Sequence, residues 1–96
     1  MKVTTAIDGE GRRRIAFRCN GCGHHHGVPV SGDTAWEWNG DVDNPTISPS
    51  ILNRGPYPEG ERVCHIFVRE GKIEYLQDCT HHLAGQTVEM EDVNEH

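Results

Sequence analysis

The cysteines are the residues whose type and spacing most clearly indicate chemistry. The chain has four, a Cys-x-x-Cys pair at Cys19 and Cys22 and two distant residues, Cys64 and Cys79. Two thiolates separated by two residues can bind one metal ion from a single tight turn, for which Gly21 and Gly23 supply the backbone freedom. Two further thiolates would complete a tetrahedral site. The sequence therefore predicts Zn²⁺ bound by Cys19, Cys22, Cys64 and Cys79.

The cellular compartment decides between a metal and disulfides for these cysteines. The segment from Met1 to Glu10 lacks the apolar stretch of a secretory signal peptide, so we expect a cytoplasmic protein. Cytoplasmic thiols stay reduced, which favours metal binding over disulfide pairing. A closed four-thiolate site is usually structural, whereas a catalytic zinc keeps one position open for water. We therefore expect the zinc to hold the fold together.

Composition and charge set the class of protein. The chain has 96 residues, of which 34% are hydrophobic and 6% aromatic, so we expect a single zinc-binding domain, residues 1–96, with a thin core. The net charge of −6 argues against a nucleic-acid partner, and the short apolar runs argue against a membrane partner. The acidic stretch from Glu89 to His96 is expected to fray. The sequence gives no indication of an oligomeric state.

Turn residues divide the chain into short strands and hairpins. Asp8-Gly9 and Glu70-Gly71 each lie between segments with strand-forming residues, which is typical of β-hairpins. Pro45 and Pro49 argue against a helix in their segment, and the Gly- and Pro-rich stretch from Arg54 to Glu61 is expected to be a loop. We therefore predict a mostly β fold, a small zinc-stapled antiparallel β domain with β-hairpins and little helix.

The second of these hairpins predicts which side chains share a face. With a two-residue turn and regular alternation, Cys64 and Cys79 lie on one face and His65 and Asp78 on the other. Cys64 and Cys79 would then be within reach of one metal ion. A single β-bulge would exchange the faces, in which case His26 or His65 would replace a cysteine as ligand.

A second group of polar residues could carry out catalysis. Asp78 beside a histidine such as His65 could orient it as a general base, and Ser50, in a segment bounded by prolines, could be a nucleophile if a histidine lies beside it. His81 could assist or complete a metal site. The alternatives are structural, with Asp78 as a turn cap or surface carboxylate and Ser50 as a backbone cap. The candidate catalytic residues are therefore His65, Asp78, His81 and Ser50.

Several motifs of this chain resemble those of a family of small phage and prophage proteins. The motifs are Cys19-x-x-Cys22 with His26, Trp38-Asn39-Gly40-Asp41, Pro45-Thr46-Ile47-Ser48-Pro49-Ser50-Ile51, Cys64-His65-Ile66-Phe67-Val68 and Asp78-Cys79-Thr80-His81. Members carry a domain of unknown function and are often mislabelled as ammonia monooxygenases, a label that implies copper and a membrane protein. The resemblance implies a phage-encoded or prophage-encoded protein that acts in the cytoplasm of the bacterial host.

The chain is also distantly similar to small peptidases encoded beside bacterial ubiquitin-like conjugation genes. These share the Cys-x-x-Cys pair, the Pro-Ser-Ile element and a strand histidine that corresponds to His65, but they lack the element from Asp78 to His81. The resemblance implies a zinc-containing hydrolase, a peptidase whose protein or peptide substrate is a ubiquitin-like protein or its conjugate.

Two other functions are compatible with the same residues. An open, histidine-rich zinc would itself activate a water, with a carboxylate as base. Alternatively, the chain is a non-enzymatic zinc-ribbon-like module that binds a phage or host protein. Such a module does not need His65, Asp78 and His81 to be aligned in a cleft, so their arrangement distinguishes it from an enzyme.

Overall fold

Eight β-strands make up the regular structure of the chain, which a computed structural model describes for residues 1–33, 35–57 and 60–92. In chain order they are β1 (Thr4–Ile7), β2 (Arg13–Cys19), β3 (His24–Pro29), β4 (Glu37–Trp38), β5 (Ile47–Tyr57), β6 (Gly60–Arg69), β7 (Lys72–Tyr75) and β8 (Thr87–Glu89). These ranges contain no helix, and hence none that is long and apolar enough to cross a membrane. The expectation of a mostly β fold is confirmed.

The strands form two antiparallel sheets that share one core. The first has the order β1-β2-β3 and the second the order β4-β5-β6-β7-β8. Side chains of β2 alternate, so that Ile15 and Phe17 are buried while their neighbours are more exposed. They belong to the same hydrophobic cluster as Ile66 and Ile73 of the second sheet. Each sheet therefore has an inner face toward this core and an outer face toward solvent.

The hairpin between β6 and β7 has the predicted two-residue turn. Glu70 and Gly71 have φ angles of 49° and 77°, the left-handed values that a type I′ turn requires at both positions. The register aligns Arg69 with Lys72 and Val68 with Ile73. Alternation along β6 then turns its even-numbered residues from 64 to 68 toward the core and His65 and Phe67 away from it.

The hairpin between β5 and β6 is longer than the sequence predicts. The expected loop from Arg54 to Glu61 is wrong for the described residues, since the pairing continues to Tyr57 opposite Gly60. Pro58 and Glu59 lie outside the described residues. The local Gly and Pro content suggested a loop. Strand pairing nevertheless continues in the same register from the preceding residue pairs to the end of the hairpin.

The same pair of strands contains one irregularity. Ile47 pairs with Val68 and Ile51 with Ile66, so β5 has more residues between these pairs than β6 has. The extra residues form a bulge in β5, and the peptide bond between Ser48 and Pro49 within it is cis.

The chain returns to the core after β8. Met90 is buried, and its amide donates a hydrogen bond to the Gly71 carbonyl at 3.0 Å. The expected frayed segment therefore begins within a strand, at Glu89. Residues 93–96 lie outside the described residues.

Candidate active site and metal centre

Ser50 lies in the bulged part of β5. A β-bulge re-aims the side chains that it contains, and bulges are frequent beside active sites. The Ser50 carbonyl accepts a hydrogen bond from Trp36 Nε1 at 3.3 Å. The indole of Trp36 thereby helps to hold the backbone of this serine.

Ser50, His65 and Asp78 form a connected line of hydrogen bonds. The distance from Ser50 Oγ to His65 Nε2 is 3.1 Å, and that from His65 Nδ1 to Asp78 Oδ2 is also 3.1 Å. With the serine hydroxyl donating to Nε2 and the Nδ1–H donating to the carboxylate, both ring nitrogens are used. The imidazole side chain is 26% exposed and the carboxylate side chain 57% exposed. This is the arrangement of a nucleophile, a general base and an orienting acid.

Asp78 reaches His65 because its segment runs along β6. After β7 the Leu76 amide donates to the His65 carbonyl at 2.9 Å, and the Thr80 amide donates to the Val63 carbonyl at 2.9 Å. Thr80 Oγ1 also accepts a hydrogen bond from the Val63 amide at 3.0 Å. The segment is therefore attached to β6 on both sides of the carboxylate.

A separate group of four side chains could hold a metal ion. Their candidate ligand atoms all lie within 4.8 Å of one another, and the residues are Cys19, Cys22, Cys64 and His81. The Sγ atoms of Cys19 and Cys64 are 3.7 Å apart, and His81 Nε2 lies 3.4 Å from Cys64 Sγ. The ligands come from the end of β2, the turn that follows it, the inner face of β6 and the segment after Asp78. The cluster thus connects the two sheets.

The Cys-x-x-Cys turn has a glycine for a steric reason. A Cβ atom at Gly21 would overlap the imidazole ring of His81. The Gly21 amide also donates to Tyr75 Oη at 3.1 Å, and this hydroxyl lies 3.3 Å from Cys19 Sγ. Burial raises the pKa of Tyr75, so its hydroxyl stays protonated and can donate to the sulfur.

The thiols of the cluster have pKa values that are shifted in opposite directions. The hydrogen bond with Cys64 lowers the pKa of Cys19 to about 2, whereas burial raises the pKa of Cys22 to about 11. The hydrogen bond with Cys19 also raises the pKa of Cys64. Burial lowers the pKa of His81, which favours the neutral imidazole that can bind a metal. A metal cation bound by these thiols would displace their protons.

His26, an alternative ligand from the sequence, contacts the cluster from outside. Its ring is buried, and Asn53 Nδ2 donates to its Nδ1 at 2.6 Å. A side-chain hydrogen bond from His26 contributes to the lowered pKa of Cys19. His26 therefore acts on the sulfur of a candidate ligand, as the outer partners of metal sites do.

The structure brings His81, and not Cys79, together with the other three cysteines. Cys79 was expected as the fourth thiolate, but it lies outside the cluster and His81 completes it. The reason is that β7 ends at Tyr75, and the Cys79 amide turns back to the Leu76 carbonyl at 3.2 Å. The strand alternation used for the prediction does not extend to residue 79.

Comparison with known proteins relates the chain to one protein family. Residues 1–76 match the family model described as "Bacterial ubiquitination-like system serine protease (BubE)". The chain belongs to this family. The match includes Ser50, His65 and the first three cysteines, and it ends before Asp78 and His81. No curated protein and no solved structure matches the chain.

The family membership agrees with the geometry at the outer face of the second sheet. The expected relation to peptidases of ubiquitin-like systems is confirmed at the level of the family.

Sequence reasoning missed the contacts of Tyr75 and Trp36. A tyrosine on the buried face of β7 and a tryptophan near the Pro-bounded segment are the available signals, because buried Tyr and Trp usually find a hydrogen-bond partner.

Proposed function

We propose that this protein is a serine peptidase in which Ser50 is the nucleophile, His65 the general base and Asp78 the residue that orients His65. The observation that carries the proposal is the line of two hydrogen bonds, each 3.1 Å, from Ser50 through His65 to Asp78. An isolated serine or aspartate on a β domain is usually structural. A serine, an imidazole and a carboxylate in this order are the established means of activating a hydroxyl.

The reaction begins with proton transfer from Ser50 to His65. Ser50 Oγ forms a bond to the substrate carbonyl carbon while its proton moves to His65 Nε2. The imidazolium is stabilised by Asp78, which accepts the Nδ1–H. When the C–N bond breaks, Nε2 returns the proton to the leaving amine. A water then repeats the sequence on the acyl-enzyme, releasing the carboxylate product and restoring Ser50.

We propose that the substrate is a ubiquitin-like protein or a conjugate of one. The support is the description of the family, which names a ubiquitination-like system and a serine protease. The nucleophile lies on the outer face of an open sheet, where an extended chain end or an isopeptide can approach it. Leu52, which is paired with His65 on this face, is exposed and offers apolar contact to such a chain.

We propose that Cys19, Cys22, Cys64 and His81 bind one Zn²⁺ as a structural ion. Zinc about 2.3 Å from each sulfur of a tetrahedron separates the sulfurs by about 3.8 Å. The 3.7 Å between Cys19 and Cys64 agrees with this value. Three thiolates and one imidazole complete a tetrahedral shell, so no position remains for a water. The ion would hold two sheets together, and the hydrolysis would be done by the side chains on the outer face.

The aligned triad favours an enzyme over the alternative of a binding module. A module that only docks on a partner gains nothing from an imidazole connected on both sides to a hydroxyl and a carboxylate. The acidic net charge of −6 also agrees with a protein rather than a nucleic-acid partner.

A fluorophosphonate reagent tests the proposed function without knowledge of the substrate. The Ser50 oxygen would form a bond to phosphorus, fluoride would leave, and the proton would go to His65. We expect the corresponding mass increase on the peptide that contains Ser50, and no labelling in Ser50→Ala or His65→Ala. Ser48→Ala is the matched control, because this exposed serine lies in the same bulge, and it should label like the wild type.

The same variants should then be tested on a ubiquitin-like protein with a C-terminal extension from the same bacterial system. Cleavage that persists in Ser50→Ala would contradict the proposal, as would labelling at another serine. Binding of the ubiquitin-like protein with neither labelling nor cleavage would support the module instead.

A further inference from the structure

Cys79 is the cysteine that neither the metal-capable cluster nor the triad uses. It is buried, and it lies between the orienting carboxylate of Asp78 and the candidate ligand His81 in sequence. Its side chain nevertheless makes two hydrogen bonds. Both of its side-chain hydrogen bonds go to the backbone of His65.

The Cys79 sulfur takes the place of the backbone carbonyl that would accept from the His65 amide in a regular ladder. The His65 amide donates to Cys79 Sγ at 3.3 Å, and the Cys79 thiol donates to the His65 carbonyl at 3.3 Å. In a regular antiparallel ladder the opposite residue would provide both a donor and an acceptor, whereas here Leu76 provides only its amide, which donates to the His65 carbonyl at 2.9 Å. Here the chain turns away after Leu76, and one side chain satisfies the amide of the residue that carries the general base.

Thr80 attaches the same segment to a different residue of β6. Thr80 makes similar contacts, accepting from the Val63 amide at 3.0 Å and donating to the Val63 carbonyl at 3.3 Å. It therefore attaches the segment to β6 two residues away from the base. Cys79 attaches the residue next to Asp78 directly to His65.

We propose that Cys79 is a positioning residue that sets the distance between Asp78 and His65. The inference rests on the proposed function of the triad. Asp78 is more than half exposed, so few contacts other than its hydrogen bond to His65 hold its side chain in place. Leu76 and Thr80 attach its segment to β6 on either side. Between them, the Cys79 thiol holds the adjacent residue to both backbone groups of His65, the residue that Asp78 must reach. Misplacing a catalytic group by about 1 Å can cost roughly 10²-fold in rate.

The test compares Cys79→Ala with Cys79→Ser in the zinc-loaded protein. Alanine removes both hydrogen bonds, whereas serine keeps a donor and an acceptor. We expect alanine to lower the maximal rate of fluorophosphonate labelling by roughly 10- to 10²-fold with unchanged reagent affinity, and serine to restore most of it. In an Asp78→Asn background, Cys79→Ala should have little further effect, because the residue acts through Asp78. Elemental analysis should find the same metal content in all variants.

A spectroscopic readout makes the result independent of activity. In isotope-labelled protein, the His65 Nδ1–H proton should be protected from exchange in the wild type, lost in Asp78→Asn, lost in Cys79→Ala and retained in Cys79→Ser. If the signal follows Cys79 but Ser50 is never labelled, the positioning role holds and the peptidase proposal fails. If Cys79→Ala lowers only the melting temperature, or loses the metal while the His65 signal and the maximal labelling rate of metal-loaded protein are unchanged, the positioning role is wrong.

Discussion

Cys64 and His65 are consecutive residues of β6 whose side chains lie on opposite faces of the sheet. Cys64 faces the buried metal-capable cluster, and His65 faces the outer surface and contacts Ser50 and Asp78. The next part of the site repeats this relationship, because Asp78 and His81 lie in one short segment and belong to different groups. Each of these two segments therefore contributes one residue to the candidate metal site and one to the triad.

Removal of the proposed zinc should slow the reaction of Ser50, although we propose no reaction step for the ion. We expect a chelator to slow fluorophosphonate labelling, since the segments that carry His65 and Asp78 lose their attachment through Cys64 and His81. Reloading with Zn²⁺, Co²⁺ or Cd²⁺ should restore similar rates, because thiolates bind all three and none touches the substrate. Rates that vary strongly with the metal, or labelling that is unaffected in protein shown to be metal-free, would contradict this account.

The identity of the fourth ligand can be tested by elemental analysis. His81→Ala should lower the zinc content, as should Cys19→Ala, because each removes a ligand of the proposed tetrahedral site. Cys79→Ala should keep its zinc. His25→Ala is the matched histidine control, since this exposed residue of β3 is not part of the cluster. Zinc lost from Cys79→Ala but kept by His81→Ala would restore the four-cysteine site that the sequence suggested.

Gly21→Ala should weaken metal binding through sterics alone. The new methyl group would occupy the position of the His81 ring, which must then move away from the three sulfurs. We expect a lower zinc affinity in a competition assay with a chromogenic chelator. Gly9→Ala, where no atom lies within 4 Å of the added Cβ, is the control and should bind zinc like the wild type. Equal affinity in both variants would mean that His81 is not a ligand.

Asp78→Asn should lower the labelling rate of Ser50 by a smaller factor than the same substitution does in enzymes whose triad aspartate is buried. An amide cannot stabilise the imidazolium as a carboxylate does, and loss of a buried triad aspartate costs about 10⁴-fold. Asp78 is 57% exposed, so water can partly replace it, and we expect roughly 10- to 10²-fold. Asp41→Asn, at an exposed turn distant in sequence, controls for the loss of one negative charge. An unchanged labelling rate in Asp78→Asn would make this carboxylate a surface group.

The shared core should be sensitive to truncation. Phe17→Ala removes a side chain with 0% exposure and should lower the free energy of unfolding by about 3–5 kcal/mol in zinc-saturated protein. Ile7→Ala, at a side chain that is 64% exposed, should change it by less than about 0.5 kcal/mol. Urea unfolding followed by tryptophan fluorescence measures both. Similar losses in both variants would contradict this account of the core.

The fold could be predicted largely from turn residues and alternation. The Glu70-Gly71 turn defined the register of β6 and β7, and this register correctly separated Cys64 from His65. The path of the chain after β7 could not be predicted, because no Gly or Pro marks the turn after Tyr75. The alternation was therefore continued beyond the strand, and Cys79 rather than His81 was expected beside Cys64.

The residues of the candidate triad were easier to predict than their positions relative to one another. Ser50 was recognised by its Pro-bounded segment, but its side-chain direction depends on a bulge whose position arises from pairing across two strands. The contact between Asp78 and His65 depends on how an irregular segment attaches to β6. Neither feature has a local sequence pattern, because both result from tertiary contacts.

The short segment from Asp78 to His81 couples the two candidate sites. It lies beyond the matched residues 1–76, yet it supplies the last member of both groups. A substitution that moves the backbone of this segment would therefore displace the proposed orienting carboxylate and a candidate metal ligand together. Damage to either group should be felt by the other.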